Sequence, residues 1–454
     1  MPGSARAGPD LAREVRTRAD PHLACDLEAR ETIFALATGG RGAIAVMRVS
    51  GPGAGALVDA LAGGIPRPRR AVLRTLRDGA GAPLDRALVV WMAAPASYTG
   101  EDSAEFHLHA GPAVIAGVAD RLASLGARPA EPGEFTRRAF LNGRMDLLEA
   151  EAVADLAVAE TGAQRAQALR QLDGALGDRY RGWAARLREL AAEQVALIDF
   201  PDEDLPAETG RAMAAELARL DREIAAHLDD GGRGERLRVG LVFAVTGPPN
   251  VGKSSLVNAL AERDVAIVAA SPGTTRDALE TRVALGGVPV TLVDTAGLRA
   301  TDDPVEGEGV RRARARAEAA DFVIAVSEAG REPASAPRGA LHIANKLDLG
   351  GRIAPAALGV SALTGEGIGA LRERLAATAR RLTAASGPPP LTRARHRAAL
   401  AAALGHLGQA ARASWPELAA EELRLALAAI GRITGEVGVE DLLDTIFSRF
   451  CIGK

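Results

Sequence analysis

The spacing of apolar positions divides the chain into three kinds of segment. Between residues 31 and 145, short apolar runs such as "AIAVMRVSG" and "RALVVWMA" are interrupted by glycine and proline, which predicts the strands of an α+β domain. Between 146 and 236, apolar residues fall four apart, as at Leu148 and Ala152, which predicts helices. Between 237 and 378, apolar runs that end in glycine turns alternate with helical stretches, which predicts a parallel sheet with crossover helices.

The helical pattern returns after the "SGPPP" stretch. Because helical segments flank the α/β block, we predict one helical domain, formed by 146–236 and 379–454, into which an α/β domain at 237–378 is inserted. Three domains in series are the alternative, but the helical halves are short, which favours their packing together. The clearest helix is the last, where apolar positions recur at i, i+3, i+4, i+7, i+8 and i+11: Val439, Leu442, Leu443, Ile446, Phe447 and Phe450.

The composition is typical of a folded protein outside the membrane, with 47% hydrophobic and 25% charged residues among 454. No run approaches the roughly 20 apolar residues that span a bilayer. The two cysteines, Cys25 and Cys451, stand far apart, which fits a reducing cytoplasm better than a disulfide framework. Residues 1–30 are too acidic for a transit peptide and are predicted to be a disordered extension, or the product of a start codon assigned too early.

The net charge of −3 limits how the chain could hold nucleic acid. A protein that grips RNA by its phosphates alone is usually basic. If RNA is a substrate, a local basic patch or a partner must therefore supply much of the affinity.

A phosphate-binding loop is predicted at 247–254, where "GPPNVGKS" matches G-x-x-x-x-G-K-S. The motif follows an apolar strand and opens a helix, which is the context it requires. Gly247 and Gly252 let backbone amides turn toward phosphate oxygens. Lys253 neutralises the terminal phosphates, and the hydroxyl of Ser254 ligates magnesium.

Further motifs, in the order and spacing typical of GTP-binding proteins, complete a nucleotide site. "DTAG" ends a strand, so Asp294 would reach the magnesium shell and the amide of Gly297 would sense the γ-phosphate. "SPGTTRD" offers Thr275 as a switch residue that also closes over magnesium. In "NKLD", Asp348 accepts two hydrogen bonds from guanine, which favours GTP over ATP, and "SALTGEG" from Ser361 backs the base.

One position departs from the usual pattern, because Leu298 follows "DTAG" where a glutamine commonly holds the attacking water. The amide oxygen of Asn250 could instead hold a monovalent cation beside the phosphates, where it would offset developing charge. Glu306 could swing in to orient water. From spacing alone, a solvated loop acid is the commoner interpretation of Glu306.

The motifs together resemble one family. "GEDSAEFHLHAGP", "PGEFTRRAFLNGRMDLLEAEAVADL", "IDFPDED", "GPPNVGKSSLVNAL", "GTTRD", "DTAGLR" and the terminal "FCIGK" are similar to the tRNA-modification GTPases called MnmE or TrmE, from about residue 31 to the end. The resemblance implies a folate-binding N-terminal α+β domain at 31–145 that dimerises, a central helical domain and an inserted α/β P-loop G domain. It also implies that hydrolysis depends on potassium and on pairing of two G domains.

The resemblance further implies the reaction and its participants. With an FAD-dependent partner of the MnmG (GidA) type, the family adds an aminomethyl or carboxymethylaminomethyl group to carbon 5 of the wobble uridine of tRNA. The one-carbon unit comes from 5,10-methylene-tetrahydrofolate, whose site also accepts a 5-formyl analogue. The FAD belongs to the partner, and the complex is a heterotetramer or larger in the cytoplasm.

Carried onto this sequence, the resemblance assigns the site residues. Glu306 becomes the favoured catalytic glutamate, which orients the attacking water beside Asn250, and Cys451 becomes a candidate thiol in uridine chemistry. Potassium contacts fall on Asn250, Ala269, Ser271 and Thr274, and folate contacts on Arg48, Glu105, Arg144 and Lys454, with Arg144 where a lysine is common. The GTP-binding residues are Asn250, Val251, Gly252, Lys253, Ser254, Ser255, Ala269, Ala270, Ser271, Pro272, Gly273, Thr274, Thr275, Asp294, Thr295, Ala296, Gly297, Asn345, Lys346, Asp348, Ser361 and Ala362.

Two other functions remain open from the sequence. One is a ribosome-assembly GTPase that acts as a switch without chemistry on RNA. Such proteins often carry a KH module with a GxxG loop, and none is evident after residue 378. The other is a folate-dependent one-carbon transferase regulated by GTP, which would need its own acceptor site.

Overall fold

A computed structural model describes residues 31–39, 42–199, 207–262, 280–294, 315, 317–332, 336–384, 389–448 and 450–453. The chain forms two compact units. The first combines the residues up to Ala154 with those from Thr434 onward, and the second runs from Asp155 to Ile433. Within the described ranges, no helix is both long enough and apolar enough to cross a membrane.

The first unit is built on a six-stranded sheet in the order β3-β4-β5-β2-β1-β6. Neighbouring strands are antiparallel except for β1 and β6, which are parallel. The strands are β1 Ile33–Leu36, β2 Ile44–Ser50, β3 Ala71–Arg77, β4 Pro83–Met92, β5 Ser103–His109 and β6 Arg128–Pro129.

Alternation along these strands assigns each side chain to one of two faces. One face buries Met47, Val89 and Phe106 against helices α1 (Ala54–Ala62) and α2 (Pro112–Ser124). On the other face, Phe135 covers the end of the sheet around Ile33. The rest of that face leaves large apolar side chains exposed: Ile44, Leu73 and Leu88.

The C-terminal helix belongs to this first unit. Helix α13 (Glu440–Phe447) packs against α3 (Glu134–Leu141) and against Leu147, the first residue of α4 (Leu147–Val158). The apolar repeat predicted a helix that reaches Phe450, but α13 ends at Phe447. Phe450 follows a turn that returns its ring to 5.3 Å from the ring of Phe447.

The second unit contains the predicted parallel sheet, in the order β12-β11-β10-β7-β9-β8. All neighbours are parallel except β8 and β9, which form an antiparallel hairpin. The prediction of an α/β domain is confirmed. The strands are β7 Leu241–Thr246, β8 Glu280–Leu285, β9 Val288–Asp294, β10 Phe322–Glu328, β11 Leu341–Asn345 and β12 Ala357–Gly359.

In the second unit, helices that precede this sheet in the sequence pack against helices that follow it. The segment 394–410 lies along 207–228, as expected if the α/β block interrupts one helical region. The predicted segment 379–454 is divided near residue 434, because its last part lies in the first unit. The helices are α5 Gly162–Leu172, α6 Ala175–Asp199, α7 Ala207–Leu228, α8 Arg233–Val239, α9 Lys253–Glu262, α10 Ile368–Thr383, α11 Ala394–Ala410 and α12 Pro416–Thr434.

Candidate functional site

The loop between β7 and α9 has the backbone that its glycines predict. Gly247 has φ +143°, and a Cβ there would lie 2.1 Å from the carbonyl oxygen of Val326. Gly252 has φ +88°, and a Cβ there would lie 2.5 Å from Nδ2 of Asn345. Only glycine fits both positions, so the loop can turn its amides inward. Asn250 also lies in the left-handed region at φ +62°, which asparagine tolerates, and it is exposed.

Lys253 is the cation at the centre of this loop. Its Nζ donates to the carbonyl oxygens of Gly247, at 2.8 Å, and Pro248, at 2.7 Å, and the residue is 4% exposed. Burial lowers the pKa of Lys253, while the charge of Asp294 acts in the opposite direction. A charge held by neutral carbonyls in a buried loop would be stabilised by a phosphate anion.

The predicted magnesium residues meet beside the loop. The hydroxyl of Ser254, at the start of α9, donates to Oδ2 of Asp294, the last residue of β9. Asp294 is buried. A hydroxyl and a carboxylate are hard oxygen ligands, which magnesium prefers. This donor pair therefore fits the predicted ion.

Asn345 connects the phosphate side of the site to the base side. Its Nδ2 donates to the carbonyl oxygen of Val251 at 2.8 Å, and its Oδ1 accepts from the amide of Ala362 at 3.1 Å. The residue is 2% exposed. Ser361 donates to Oδ1 of Asp348 at 2.5 Å, so the carboxylate assigned to guanine is held by the loop assigned to back the base.

The remaining nucleotide residues are placed as follows. Lys346 has φ +63°, and its Nζ lies 3.8 Å from Oε1 of Glu328. Val251 is buried in the core, and Ser255 is exposed in the first turn of α9. The predicted residues that lie outside the described part of the chain are Ala269, Ala270, Ser271, Pro272, Gly273, Thr274, Thr275, Thr295, Ala296, Gly297, Leu298, Glu306 and Lys454.

A second polar site lies in the first unit, where Arg48 of β2 stands directly opposite Glu105 of β5. Nε and Nη2 of Arg48 donate to Oε1 of Glu105 at 3.0 and 2.8 Å. The guanidinium also lies over two rings, 5.5 Å from the centroid of Tyr98 and 5.7 Å from that of Phe135. Neither aromatic residue was predicted from the sequence, although Phe135 stands inside the quoted "GEFTRR" and Tyr98 just before "GED".

The C-terminal tail reaches this second site. Nη1 of Arg48 donates to the carbonyl oxygen of Gly453 at 3.4 Å. Gly453 has φ +95°, and a Cβ there would lie 2.5 Å from the carbonyl oxygen of Leu36, so glycine alone fits. The carbonyl of Cys451 accepts from the amide of Gly133 at 3.5 Å, and Cys451 is exposed. The thiol is therefore accessible and only two residues from a contact of Arg48.

Arg144 is placed apart from this pair. Its stem lies against Gly100, where a Cβ would be 3.1 Å from Cγ of Arg144, and the side chain is exposed. Among the described residues, no hydrogen bond or ion pair joins Arg144 to Arg48 or Glu105. The structure thus brings two of the four predicted folate residues into contact.

A buried ion-pair network fixes helix α3, which carries Phe135. Arg138 is 4% exposed and pairs with Glu101 at 3.1 Å and with Glu134 at 2.8 Å. Burial acts to raise the pKa of Glu134, but hydrogen bonds from Arg128 and Arg138 outweigh it and lower the pKa to about 2. The network holds the ring of Phe135 beneath the guanidinium of Arg48.

Comparisons with known proteins cover nearly the whole chain. The family description "GTP-binding protein TrmE N-terminus" matches residues 32–144, and "MnmE helical domain" matches 147–451. A "tRNA modification GTPase MnmE" of Gluconacetobacter diazotrophicus is 62% identical over 428 residues, which cover 93% of this chain and 98% of the relative. The chain belongs to the MnmE family. Membership in this family of GTPases makes the protein a GTP hydrolase.

Other relatives of this MnmE family member carry the same description. Proteins with the same name from Granulibacter bethesdensis and Acidiphilium cryptum are 54% and 53% identical, over 94% and 93% of this chain and 100% and 99% of their own lengths. Among solved structures, the FeoB G-domain of Methanococcus jannaschii matches 31% of this chain and 98% of its own, at 23% identity. The TM-score of this match is 0.23.

Proposed function

We propose that this MnmE family member is a potassium-dependent GTPase that acts with an FAD-dependent partner of the MnmG type in the cytoplasm. Together they add an aminomethyl or carboxymethylaminomethyl group to carbon 5 of the wobble uridine of tRNA, with a one-carbon unit from 5,10-methylene-tetrahydrofolate. The arrangement of Lys253, Ser254 and Asp294 around the glycine-rich loop is the observation that carries the GTPase half. The contact of Arg48 with Glu105 and Gly453 supports the folate half.

The nucleotide side follows from charge. Lys253 neutralises terminal phosphate oxygens, and Ser254 and Asp294 hold magnesium, which offsets the charge that builds during phosphoryl transfer. Asp348, fixed by Ser361, accepts from the guanine edge. Asn345 keeps the two halves of the site at a constant separation.

Leu298 stands where a glutamine is common, and a potassium ion held beside the phosphates would offset the charge that develops in the transition state, as an arginine finger does elsewhere. The exposed side chain of Asn250 can present its amide oxygen beside the phosphates. Ala269, Ser271 and Thr274 add ligands by resemblance, and a second G domain completes the site. Glu306 orients the attacking water.

The folate side follows from complementary chemistry. The carboxylate of Glu105 can accept hydrogen bonds from the amino and amide edge of a pterin ring, and the half-buried ring of Tyr98 provides a flat apolar surface nearby. Arg144 and Lys454 carry positive charge suited to the glutamate end of folate. Cys451 presents an accessible thiol on the same tail.

A homodimer is supported by the uncovered face of the first sheet. Ile44, Leu73 and Leu88 are 62%, 63% and 44% exposed on that face. A second copy would remove this apolar surface from water and contribute roughly 25 cal/mol per Å² buried.

The reaction is tested by nucleoside mass analysis of tRNA. A strain that lacks the gene should lose the wobble modification, and the wild-type gene should restore it. Full modification in the deletion strain would reject the proposal. A ribosome-assembly role would instead leave the nucleosides normal and change the ribosome profile.

Potassium and Glu306 are tested by GTP hydrolysis at constant ionic strength. We expect the turnover number to fall sharply when sodium replaces potassium. We expect the Glu306→Ala variant to show an equal loss of turnover while its affinity for GTP is unchanged. Glu373→Ala, an exposed acid on α10, is the matched control. Equal rates in sodium and potassium would refute the cation, and an active Glu306→Ala variant would refute the glutamate.

A further inference from the structure

An arginine-rich segment crosses one edge of the first sheet. Residues 63–92 contain six arginines and two aspartates, with no lysine and no glutamate, in a chain whose net charge is −3. We call these six arginines the basic stripe: Arg67, Arg69, Arg70, Arg74, Arg77 and Arg86.

The fold gathers these arginines at one edge of the sheet. Strand β3 is that edge, and alternation places Arg74 on its helix-covered face. Arg77 and Arg86, which stands opposite Thr75, lie on the other face next to the turn between β3 and β4, beyond Leu73 and Leu88. The segment before β3 supplies the other three. At a rise of about 3.3 Å per residue, the extended segment from Arg70 to the end of β3 at Arg77 spans roughly 23 Å. Each arginine except Arg74, which is half-buried, is exposed.

The two aspartates of the segment do not neutralise the stripe. Oδ1 of Asp78 accepts from the amides of Ala80 and Ala82 within its own turn. Asp85 is held by the amide and ring of His109. Within the described ranges, no ion pair joins any stripe arginine to an acid, whereas Arg128 and others elsewhere are paired.

Two stripe arginines are also held in place by backbone carbonyls. Arg69 donates through Nη2 to Ala96, and Arg77 donates through Nη1 to Gly81 at 2.8 Å. The amide of Arg69 donates to the carbonyl of Trp91 at 2.8 Å, which fixes the segment to the sheet. A guanidinium has five donors, so most of them remain for a ligand.

Protection of an exposed edge does not explain the whole stripe. Charged side chains on an edge strand discourage pairing with another chain. That role accounts for Arg74 and Arg77, which lie on β3. It does not account for the three arginines before the strand or for Arg86 on the neighbouring strand.

We propose that the basic stripe binds the phosphate backbone of tRNA. Exposed guanidinium groups that no acid pairs can each bind a phosphate with two parallel hydrogen bonds. The stripe supplies the local positive patch that a chain of net charge −3 needs in order to hold RNA. This inference rests on the proposed function, which makes tRNA the substrate.

The test uses the full chain and a tRNA with uridine at the wobble position. Arg67→Gln/Arg70→Gln/Arg86→Gln removes three charges whose side chains make no described hydrogen bond. We expect tRNA to bind about tenfold more weakly or worse at moderate salt. We also expect the slope of log affinity against log salt to decrease in magnitude by about 2–3.

Two matched variants distinguish the effect of positive charge in the basic stripe from the effect of the protein's total positive charge. Arg67→Lys/Arg70→Lys/Arg86→Lys keeps the charges and should retain most of the affinity. Arg165→Gln/Arg170→Gln/Arg222→Gln removes three exposed arginines of the second unit and should leave tRNA affinity unchanged. Circular dichroism and the unfolding midpoint confirm that each variant is folded.

Several results would overturn the inference. These are a Gln triple with wild-type affinity and salt slope, an equal loss in the second-unit control, or a wild-type protein that binds tRNA without salt dependence. A stripe that binds vesicles of anionic lipid or an acidic protein while tRNA binding stays intact would also overturn it. Wobble nucleosides from the wild-type strain test the proposed function separately, because modification can be normal while the stripe hypothesis fails.

Discussion

At the scale of single residues, Asn345 illustrates how one buried amide sets the geometry of a whole site. It uses a donor toward Val251 and an acceptor toward Ala362, so the phosphate loop and the base loop are tied through one side chain. A buried group that loses one of two such bonds costs about 1–3 kcal/mol. The position tolerates only a side chain with a donor and an acceptor on opposite sides.

We therefore predict that Asn345→Asp weakens GTP binding by about 10- to 100-fold, because an acceptor replaces the donor that faces the carbonyl of Val251. Titration of a fluorescent GTP analogue measures the dissociation constant. Asn258→Asp, an exposed change on α9, is the control and should bind normally. An Asn345→Asp variant with normal affinity would show that Asn345 does not organise the site.

His227 gives a prediction about pH. The ring lies between Tyr180, whose hydroxyl is 3.1 Å from Nε2, and Trp183, whose ring centroid is 5.5 Å away. Burial, and after it the charge of Arg179, lower the pKa of His227 to about 4. The unfolded chain binds this proton near pH 6.5, so between pH 6.5 and 4 the unfolded state holds more protons than the folded state. Stability then falls as the pH decreases through that window.

The expected loss from His227 is on the order of 3 kcal/mol by pH 4. Denaturant unfolding of wild type and His227→Gln, followed by tryptophan fluorescence at pH 7 and pH 5, measures it. The variant keeps a hydrogen-bonding group for Tyr180 and should lose less stability on acidification than wild type. Identical pH dependence in both proteins would assign the acid sensitivity to other groups.

The residues of the phosphate loop could be predicted from sequence because their roles depend on local backbone. Gly247 and Gly252 are required by positive φ and close approach, and both features recur wherever the motif occurs. The rings of Tyr98 and Phe135 over Arg48 could not be predicted, because they come from separate segments that meet only in the folded sheet. Sequence spacing carries no information about such long-range contacts.

At the scale of elements, the C-terminal helix shows what periodicity can and cannot predict. The repeat from Val439 correctly predicted an amphipathic helix, because an apolar stripe must be buried somewhere. It could not show that the stripe packs on Leu147 and α3 in the first unit. It also overextended the helix, which ends at Phe447, although Phe450 follows in a turn and joins the same buried cluster.

The tail after this helix gives a prediction at this scale. Gly453→Ala would force a Cβ to within 2.5 Å of the carbonyl of Leu36 at a φ of +95°. We expect the tail to leave its position, the carbonyl contact to Arg48 to be lost and folate affinity to fall about tenfold.

Carboxypeptidase digestion followed by mass spectrometry, and folate binding by fluorescence, measure these two effects. Gly126→Ala is matched in backbone strain, with φ +93°, but a Cβ there meets nothing within 4 Å. It should leave the tail and folate affinity unchanged. If the two variants behaved alike, the position of Gly453 against Leu36 would not matter for folate affinity.

At the scale of the whole molecule, nucleotide hydrolysis must affect chemistry elsewhere, and the second unit contains a junction suited to this. The chain enters the α/β region near Arg238 and leaves it near Thr392, and Nε of Arg238 donates to the carbonyl of Thr392 at 2.9 Å. Asp155 pairs with Arg393 at 2.8 Å beside them. These contacts fix the point about which the α/β region joins the helices.

A further contact lies away from that point. Arg282 of β8 pairs with Glu160, which precedes α5, at 2.6 Å. Strand β8 begins five residues after the predicted switch residue Thr275, so a shift of the switch loop would act on β8 directly. Amide and side-chain contacts of Gln164 fix the backbone around Glu160.

We predict that Arg282→Glu leaves GTP hydrolysis within about twofold of wild type but lowers wobble modification several-fold. The reason is that like charges at 160 and 282 would separate β8 from the helices, while the phosphate loop is untouched. Because half of the Arg282 side chain is exposed, the pair contributes only about 0–1 kcal/mol, which sets the modest size of the effect. Glu160→Arg should behave alike, and Glu160→Arg/Arg282→Glu should recover modification, since the swap restores the attraction. If both single variants modified tRNA normally, or if the swap failed to rescue them, coupling would have to pass through the junction at Arg238 and Thr392 alone.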